Sequence, residues 1–472
     1  MFVLTDDLSE NLVRYMPHVR ALQKAGLAFT DYTVTDSLCC PSRSSIFTGR
    51  FPHDTGIFTN GKTGKAGRKK AAGNTAAGAT PDGGFDLFHA RGEERQTFAT
   101  ALQGVGYRTA MMGKYLNGYQ PAATQGGQAP YVPPGWNEWD VAGQGYGEFD
   151  YDLNENGRVV HYGSRPQDYL TDVLAGKGSA FIKGAAGAHS PFLLEVATFA
   201  PHGPYTPAPR DAGAFPGLKA PRGPAFDRLP TDAPAWLAGF KPLTGQNVAK
   251  IDEGFRKRAQ AVQAVDAMIG QLEDTLKAAG VADNTYLVFS SDNGYHMGEH
   301  RLTPGKMTAF DTDIRVPLVV SGPGVPAGRT SKALAQNIDL APTFQALGRA
   351  ATPADVDGRS LVPLLRGQPA ADWRTASLVE HHGPDVNRKD PDFPAKSSGN
   401  PSSYEAIRTA TSTYIEYADG EVEYYDLSKD PDELHSTAGQ LSVADHARLH
   451  TTLTALKSCH DAAACWAAGH LA

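Results

Sequence analysis

The sequence predicts an α/β protein built on a doubly wound, mostly parallel sheet, with a smaller C-terminal subdomain that carries an antiparallel sheet and a terminal helix. Three observations predict it. Apolar strand-like runs alternate with amphipathic helical stretches through the first 350 residues, and strands separated by helices pair in parallel. Beyond residue 350 the alternation stops, and two strand-like runs flank Asp419-Gly420, a hairpin signal. The 472 residues also exceed one small core, at roughly 100–200 residues per domain.

Phe2–Leu4 reads as a buried strand running straight into Thr5-Asp6-Asp7, and Asn11–Ala25 as a helix stopped by Gly26. A core strand starting at Met1 implies that a leader and the strand's first half lie upstream. Residues 61–84, rich in Gly, Ala and Lys without periodicity, read as a mobile surface insertion. Arg108–Met112 is a short strand closed by Gly113, and Pro191–Phe199 a longer one. From Ile251 to Ala279, apolar residues at 251, 255, 262, 265, 269, 272 and 276 line one helical face, and Gly280 stops the helix. Tyr286–Ser291 and Val316–Val320 are the next strands, followed by a helix over Leu340–Leu347.

In the C-terminal part, Ala376–Glu380, Glu405–Ala410, Tyr414–Ala418 and Glu421–Tyr425 form the antiparallel set, finished by a helix at Val443–Lys457. Asp419-Gly420 is expected to make a two-residue turn with positive φ. The division is an α/β domain over 1–370 and an α+β subdomain over 371–472. Pro-rich stretches at 121–135 and 201–243 are loops.

The formal charge is −7 with no basic stripe, which argues against nucleic-acid binding as the main role. No apolar run approaches the roughly 18 residues of a membrane span. Of the four cysteines, Cys39 and Cys40 are adjacent. Cys459 and Cys465 either close a small disulfide loop, suited to an oxidising compartment, or stay reduced. A secreted or extracytoplasmic location fits the first reading, and a cytoplasmic one the second.

Ligands of an open parallel sheet collect beyond the carboxyl ends of its strands. Four polar clusters fall there: Asp6-Asp7, Lys114, His202 and Asp292-Asn293. Taken singly, each has a plain alternative as a helix cap, a turn or a solvated loop residue. Three carboxylates brought together repel one another without a cation, and oxygen donors on Asp6, Asp7, Asp292 and Asn293 suit Ca²⁺ or Mg²⁺. In Cys39-Cys40-Pro41-Ser42-Arg43, Pro41 fits a first helical position and Gly49 a helix stop. A cysteine at a helix N-terminus faces unpaired N–H groups that favour an anion, while Arg43 in the first turn needs carboxylate partners.

Cys39-Cys40-Pro41-Ser42-Arg43 resembles C-x-P-S-R, the signature of the type I sulfatases in the alkaline-phosphatase superfamily. The resemblance extends through Thr5-Asp6-Asp7, Gly113-Lys114, Pro201-His202, Asp292-Asn293-Gly294, Gly298-Glu299-His300, Lys306 and Glu423–Glu433. It implies an alkaline-phosphatase-like fold and an enzyme that hydrolyses sulfate esters. It implies that Cys39 is oxidised to formylglycine by a formylglycine-generating enzyme, and that Asp6, Asp7, residue 39, Asp292 and Asn293 bind Ca²⁺, with Mg²⁺ as the alternative. One hydroxyl of the hydrated aldehyde would attack sulfur to form a covalent sulfate ester, and the other would expel the sulfate.

Carried over residue by residue, Lys114 and Lys306 grip sulfate, and Lys306 or His202 protonates the leaving alcohol. Three carboxylates against Ca²⁺, two lysines and Arg43 leave about +2 for a monoanionic ester. Asn117 is a departure, because many family members have a histidine shortly after Gly-Lys to assist elimination, and an amide cannot act as a base. Gly113-Lys114-Tyr115-Leu116-Asn117 with the adjacent cysteines looks like the branch acting on 6-sulfated N-acetylglucosamine and heparan sulfate. The expected substrate is therefore a sulfated sugar, with aryl sulfates as simple analogues, and action is expected at a chain end. The alternatives are a phosphonate monoester or phosphodiester hydrolase, and a sulfated-glycan binder with Cys39 unconverted. Glu380-His381-His382 could reach the sugar or be a surface pair, and loops 61–84 and 384–403 are long enough to shape the pocket mouth. His296 and His300 suggest zinc, but no glutamate sits beside the first His, which argues against it.

Overall fold

The computed structural model describes residues 1–61, 83–368 and 372–471. The expected insertion at 61–84 lies almost wholly outside the described residues. The first twelve strands are β1 (Phe2–Thr5), β2 (Leu27–Phe29), β3 (Tyr32–Thr33), β4 (Arg108–Lys114), β5 (Glu138–Ala142), β6 (Tyr151–Glu155), β7 (Arg158–Tyr162), β8 (Phe192–Ala197), β9 (Leu287–Ser291), β10 (Leu318–Ser321), β11 (Arg329–Ser331) and β12 (Ala335–Gln336). Ten of them form one sheet in the order β11-β2-β10-β9-β1-β8-β4-β5-β6-β7, and β3 pairs with β12. From β9 to β5 every neighbour is parallel. The strand expected over Val316–Val320 starts two residues later, and it runs antiparallel to β9.

Alternation along β1 explains the layering. Phe2 and Leu4 enter one apolar core, with Cys40, Ile46 and Phe47 of the Cys39–Thr48 helix. Met1 and Val3 enter the opposite core, with Leu170 and Leu174 of the Leu170–Gly187 helix and Ile251, Phe255, Val262, Val265 and Ile269 of the Gly245–Ala278 helix. The helix expected over Asn11–Ala25 is two pieces, a 3₁₀ turn at Glu10–Tyr15 and an α-helix at Pro17–Ala25. Pro17 disfavours helical backbone at Met16, which breaks the run there.

The C-terminal strands β13 (Ala376–His381), β14 (Tyr404–Thr409), β15 (Ser412–Tyr417) and β16 (Val422–Asp426) form a separate antiparallel sheet. The β15–β16 hairpin forms, but of Asp419 and Gly420 only Gly420 takes positive φ (92°), so the turn is not the expected pair. A helix over Val443–Leu456 leads into the Cys459–Cys465 disulfide. That segment docks onto residues just beyond the Cys39–Thr48 helix. His53 Nδ1 lies 2.8 Å from Glu380, its Nε2 donates to the Cys459 carbonyl (2.8 Å), and His460 pairs with Asp54. Asp357 accepts from the amides of both Phe51 and Asp461.

Candidate active site

The registers Thr5–Ser291, Leu4–Ala197 and Gly113–Ala197 bring the carboxyl ends of β1, β9, β8 and β4 level. Asp6-Asp7, Asp292-Asn293, Lys114 and the turn bearing His202 therefore emerge side by side. The Cys39–Thr48 helix closes the cleft, with all ten residues buried. It starts at Cys39 rather than Pro41, so Pro41 is its third residue, still in the turn whose N–H groups lack helical partners. Asn337 donates to Ser42 Oγ (2.9 Å) and Thr35 to Ser45 Oγ (2.9 Å), while Gly49 ends the helix at φ 75°. A Cβ at Gly49 would lie 2.9 Å from Val356 Cγ1, a second reason for glycine there.

Cys39 Sγ donates to Asp6 (3.2 Å), and Lys306 Nζ donates to Cys39 Sγ (2.9 Å) and to Asp7 (2.7 Å). Lys114 donates to Asp6 (2.6 Å), and Arg43 Nε to Asp292 (2.7 Å). Arg43 Nη1 reaches the Lys114 carbonyl at 2.8 Å. Asp7 holds a left-handed backbone, φ 63°, and its carbonyl accepts from Arg258, whose guanidinium lies 4.3 Å from the Tyr295 ring centre. Ligand atoms of Asp6, Asp7, Cys39 and Asp292 all lie within 4.8 Å of one another. Asn293 donates to Asp7 (2.7 Å), but its buried Oδ1 has no hydrogen-bond partner among the described residues. An orphaned oxygen beside three carboxylates is a donor set that fits a hard cation.

The electrostatics follow from burial among mixed charges. Burial favours the neutral Lys114 and Lys306, yet Asp6 and Asp392 respectively, with further neighbours, hold both ammonium groups well above their ordinary range. Burial works against the charge of His202 too, but Asp7 and Asp392 outweigh it and raise the imidazole to about 9. For Cys39, burial and the surrounding carboxylates push the thiol well up, so the helix-end preference for an anion does not make it a thiolate.

The principal residue that sequence reasoning missed is Asp392. Its carboxylate sits 2.5 Å from His202 Nε2 and 2.8 Å from Lys306 Nζ, and accepts from Asn60 (2.6 Å) and Asn117 (3.2 Å). It makes a fourth carboxylate that the charge count above omits, and the protonated His202 it pairs with offsets it, so the sum stays at about +2. Tyr146 was also missed: its ring lies 5.0 Å from the Lys114 ammonium and 4.6 Å from the His202 ring. The only hint of Asp392 was its loop, 384–403. His381 is buried against Asp36 (3.3 Å), while His382 is exposed and stacks on Phe58, so the surface reading holds for His382 alone. His296 is held by Asp313 and the Ser398 carbonyl.

A family model described as Sulfatase matches residues 2–349, and one described as N-sulphoglucosamine sulphohydrolase, C-terminal, matches residues 298–458. N-acetylglucosamine-6-sulfatase of Homo sapiens is 34% identical over 97% of this chain and 84% of its own. A solved structure of BT4656 in complex with its substrate D-glucosamine-2-N,6-O-disulfate superposes at TM-score 0.75, with 25% identity over 97% of this chain and 96% of that one. Phosphonate monoester hydrolase from Silicibacter pomeroyi, 22% identical over 95% of this chain and 92% of its own, shares the fold at TM-score 0.69. A family match over most of the chain joins the Cys39–Arg43 motif, which folds into the carboxylate cluster: this chain belongs to the sulfatase family.

Proposed function

We propose that the protein removes sulfate from sulfated carbohydrate, with the 6-sulfate of a terminal N-acetylglucosamine or a similar sugar as its target. The observation that carries this reading is the 2.9 Å approach of Lys306 Nζ to Cys39 Sγ beside the Asp6, Asp7 and Asp292 carboxylates. It joins a nucleophile position, a cation for the transferring group and a metal-binding donor set in one buried cleft. The human relative's name and the complex of BT4656 with D-glucosamine-2-N,6-O-disulfate support the substrate class.

Asp6, Asp7, Asp292, Asn293 and an oxygen on residue 39 would hold the ion, Ca²⁺ by preference and Mg²⁺ as the alternative. Bound there, the ion would polarise a sulfate oxygen. Residue 39, once oxidised to formylglycine by a formylglycine-generating enzyme and hydrated, would offer one hydroxyl to attack sulfur and a second for release. Arg43 fixes Asp292, and Lys114 and Lys306 take up charge on the sulfate oxygens. His202 or Lys306 gives the leaving alcohol its proton. Asn117 has no basic nitrogen and serves the substrate side through its amide. A cavity of about 400 Å³ lined by Asp7, His202, Lys306 and Asp392 suits one sugar unit, which favours action at a chain end.

The separate β13–β16 sheet supports a C-terminal subdomain over 371–472 beside a catalytic domain over 1–370. The Cys459–Cys465 disulfide, and relatives named extracellular sulfatases, support a secreted or extracytoplasmic location. No helix among the described residues is long and apolar enough to cross a membrane. The test is sulfate release from glucosamine 6-, 3- and N-sulfates and from internal chain units, on protein whose residue 39 has been identified by peptide mass spectrometry. The reading expects the terminal 6-sulfate to be preferred. A preference for the 3- or N-sulfate defeats the position, and good activity on internal units defeats chain-end action.

A further inference from the structure

Asp392 is a buried carboxylate, 8% exposed, carried into the cleft by the β13–β14 connection. A carboxylate has about four acceptor positions, and here three side-chain hydrogen-bond donors and one ammonium ion pair surround it. Oδ1 accepts from His202 Nε2 at 2.5 Å and pairs ionically with Lys306 Nζ at 2.8 Å; Oδ2 accepts from Asn60 at 2.6 Å and Asn117 at 3.2 Å. Three of these partners are the groups assigned above to the substrate. The fourth, Asn60, is fixed in turn, because its Oδ1 accepts from the Cys40 amide (2.9 Å) in the first turn of the helix that bears residue 39. One carboxylate thus ties the loop 384–403 to four chain segments at the reaction centre.

The geometry at Lys306 is the informative part. An ammonium has three hydrogens. Lys306 Nζ donates to Asp7 at 2.7 Å and to Cys39 Sγ at 2.9 Å, and Asp392 Oδ1 lies 2.8 Å away as an ion pair. Two carboxylates thus hold the ammonium while one of its N–H bonds points to Sγ, the position from which the nucleophile attacks. Without Asp392, a four-carbon side chain pinned at one point by Asp7 can swing, and misplacement of about 1 Å costs on the order of 10²-fold in rate. The same carboxylate fixes the His202 ring, whose Nδ1 donates to the Gly203 carbonyl at 2.7 Å.

We infer that Asp392 is a positioning residue that aims Lys306 at the sulfur-bound oxygens and holds the His202 ring across from it. The inference rests on the sulfatase reading above.

The experiment is a double-mutant cycle between Asp392 and Lys306 on sulfate-ester hydrolysis, with residue 39 checked by mass spectrometry and folding by thermal denaturation. Asp392→Asn is expected to lower kcat about 10²-fold with KM changed only a few-fold. In the Lys306→Ala background the same change should cost only a few-fold more, because the group it aims is gone. Asn60→Ala, which loosens the tether and keeps the carboxylate, should give a smaller kcat loss in the same direction; it is the working variant if Asp392→Asn does not fold. Additive losses in the cycle, or a loss confined to KM, overturn the inference. So does a gain in kcat/KM on removing the carboxylate, which would make Asp392 a plug displaced by substrate. Converted wild-type protein that releases no sulfate from any ester overturns the functional reading and this role with it, whereas active wild type with unchanged variants overturns this role alone.

Discussion

Lys306 Nζ and Cys39 Sγ stand 2.9 Å apart across a separation of 267 residues, with both side chains buried. Cys40, the next residue, points its side chain into the apolar core beneath, and its thiol is pushed up to about 12, chiefly by burial. Two adjacent cysteines therefore have different duties.

Cys39→Ala should abolish turnover, while Cys40→Ala should retain part of it and lose about 1–2 kcal/mol of stability from the trimmed core. Paired rate measurements and thermal melts check this. Equal loss in both variants, with residue 39 converted in the Cys40 variant, would contradict the assignment.

The contribution of His202 should depend on the leaving group. A sugar alkoxide needs a proton as it departs, and nitrophenolate does not. His202→Ala should cost about 10²–10⁴-fold on a sugar 6-sulfate and only a few-fold on nitrophenyl sulfate. Equal losses on the two substrates would remove it as the general acid.

Chelation should remove activity but leave the protein folded, because Lys114, Lys306 and Arg43 already pair with Asp6, Asp7 and Asp292. Added Ca²⁺ should stabilise the fold by mass action, by about 2.7 kcal/mol at a hundred times Kd, and so raise Tm. Asn293→Ala, which deletes the orphaned Oδ1, should shrink that Tm gain. A Tm insensitive to Ca²⁺ and Mg²⁺ would sink the metal assignment.

Docking of the C-terminal segment should weaken with rising pH. Burial lowers the pKa of His53, but Glu380, the Cys459 carbonyl and Asp54 overcome this and lift it from 6.5 to about 9. A histidine whose pKa is higher in the folded state stabilises fully below 6.5, and that stabilisation is lost as pH climbs through about 9. The upper limit is about 3 kcal/mol. Melting wild type and His53→Gln from pH 6 to 10 should show the wild-type advantage fading across that window. An advantage that stays constant would rule out the charge as its source.

The parts of the site legible in the sequence were those attached to strand ends. Asp6, Lys114 and Asp292 each follow or end an apolar run, so a correct strand assignment places them. Strands β5 to β7 went unrecognised: Asp140 and Asn154 interrupt their apolar alternation, although Asn156-Gly157 between β6 and β7 is a hairpin signal and both take positive φ. Asp392 was illegible for a different reason. It sits in an aperiodic loop 190 residues from His202, and an acidic residue beside Pro391 reads as a solvated turn until the fold delivers it. Long-range convergence of that kind leaves no local trace.

The burial of Cys39 sets a clock. Its thiol has no solvent exposure in the finished fold, and the ammonium that covers it belongs to a residue made 267 positions later. At about 5–20 residues per second, a ribosome needs roughly 10–50 s to travel from one to the other. Any catalyst that oxidises this thiol has that interval, extended by whatever delays the docking of Lys306, in which to find residue 39 on an open chain.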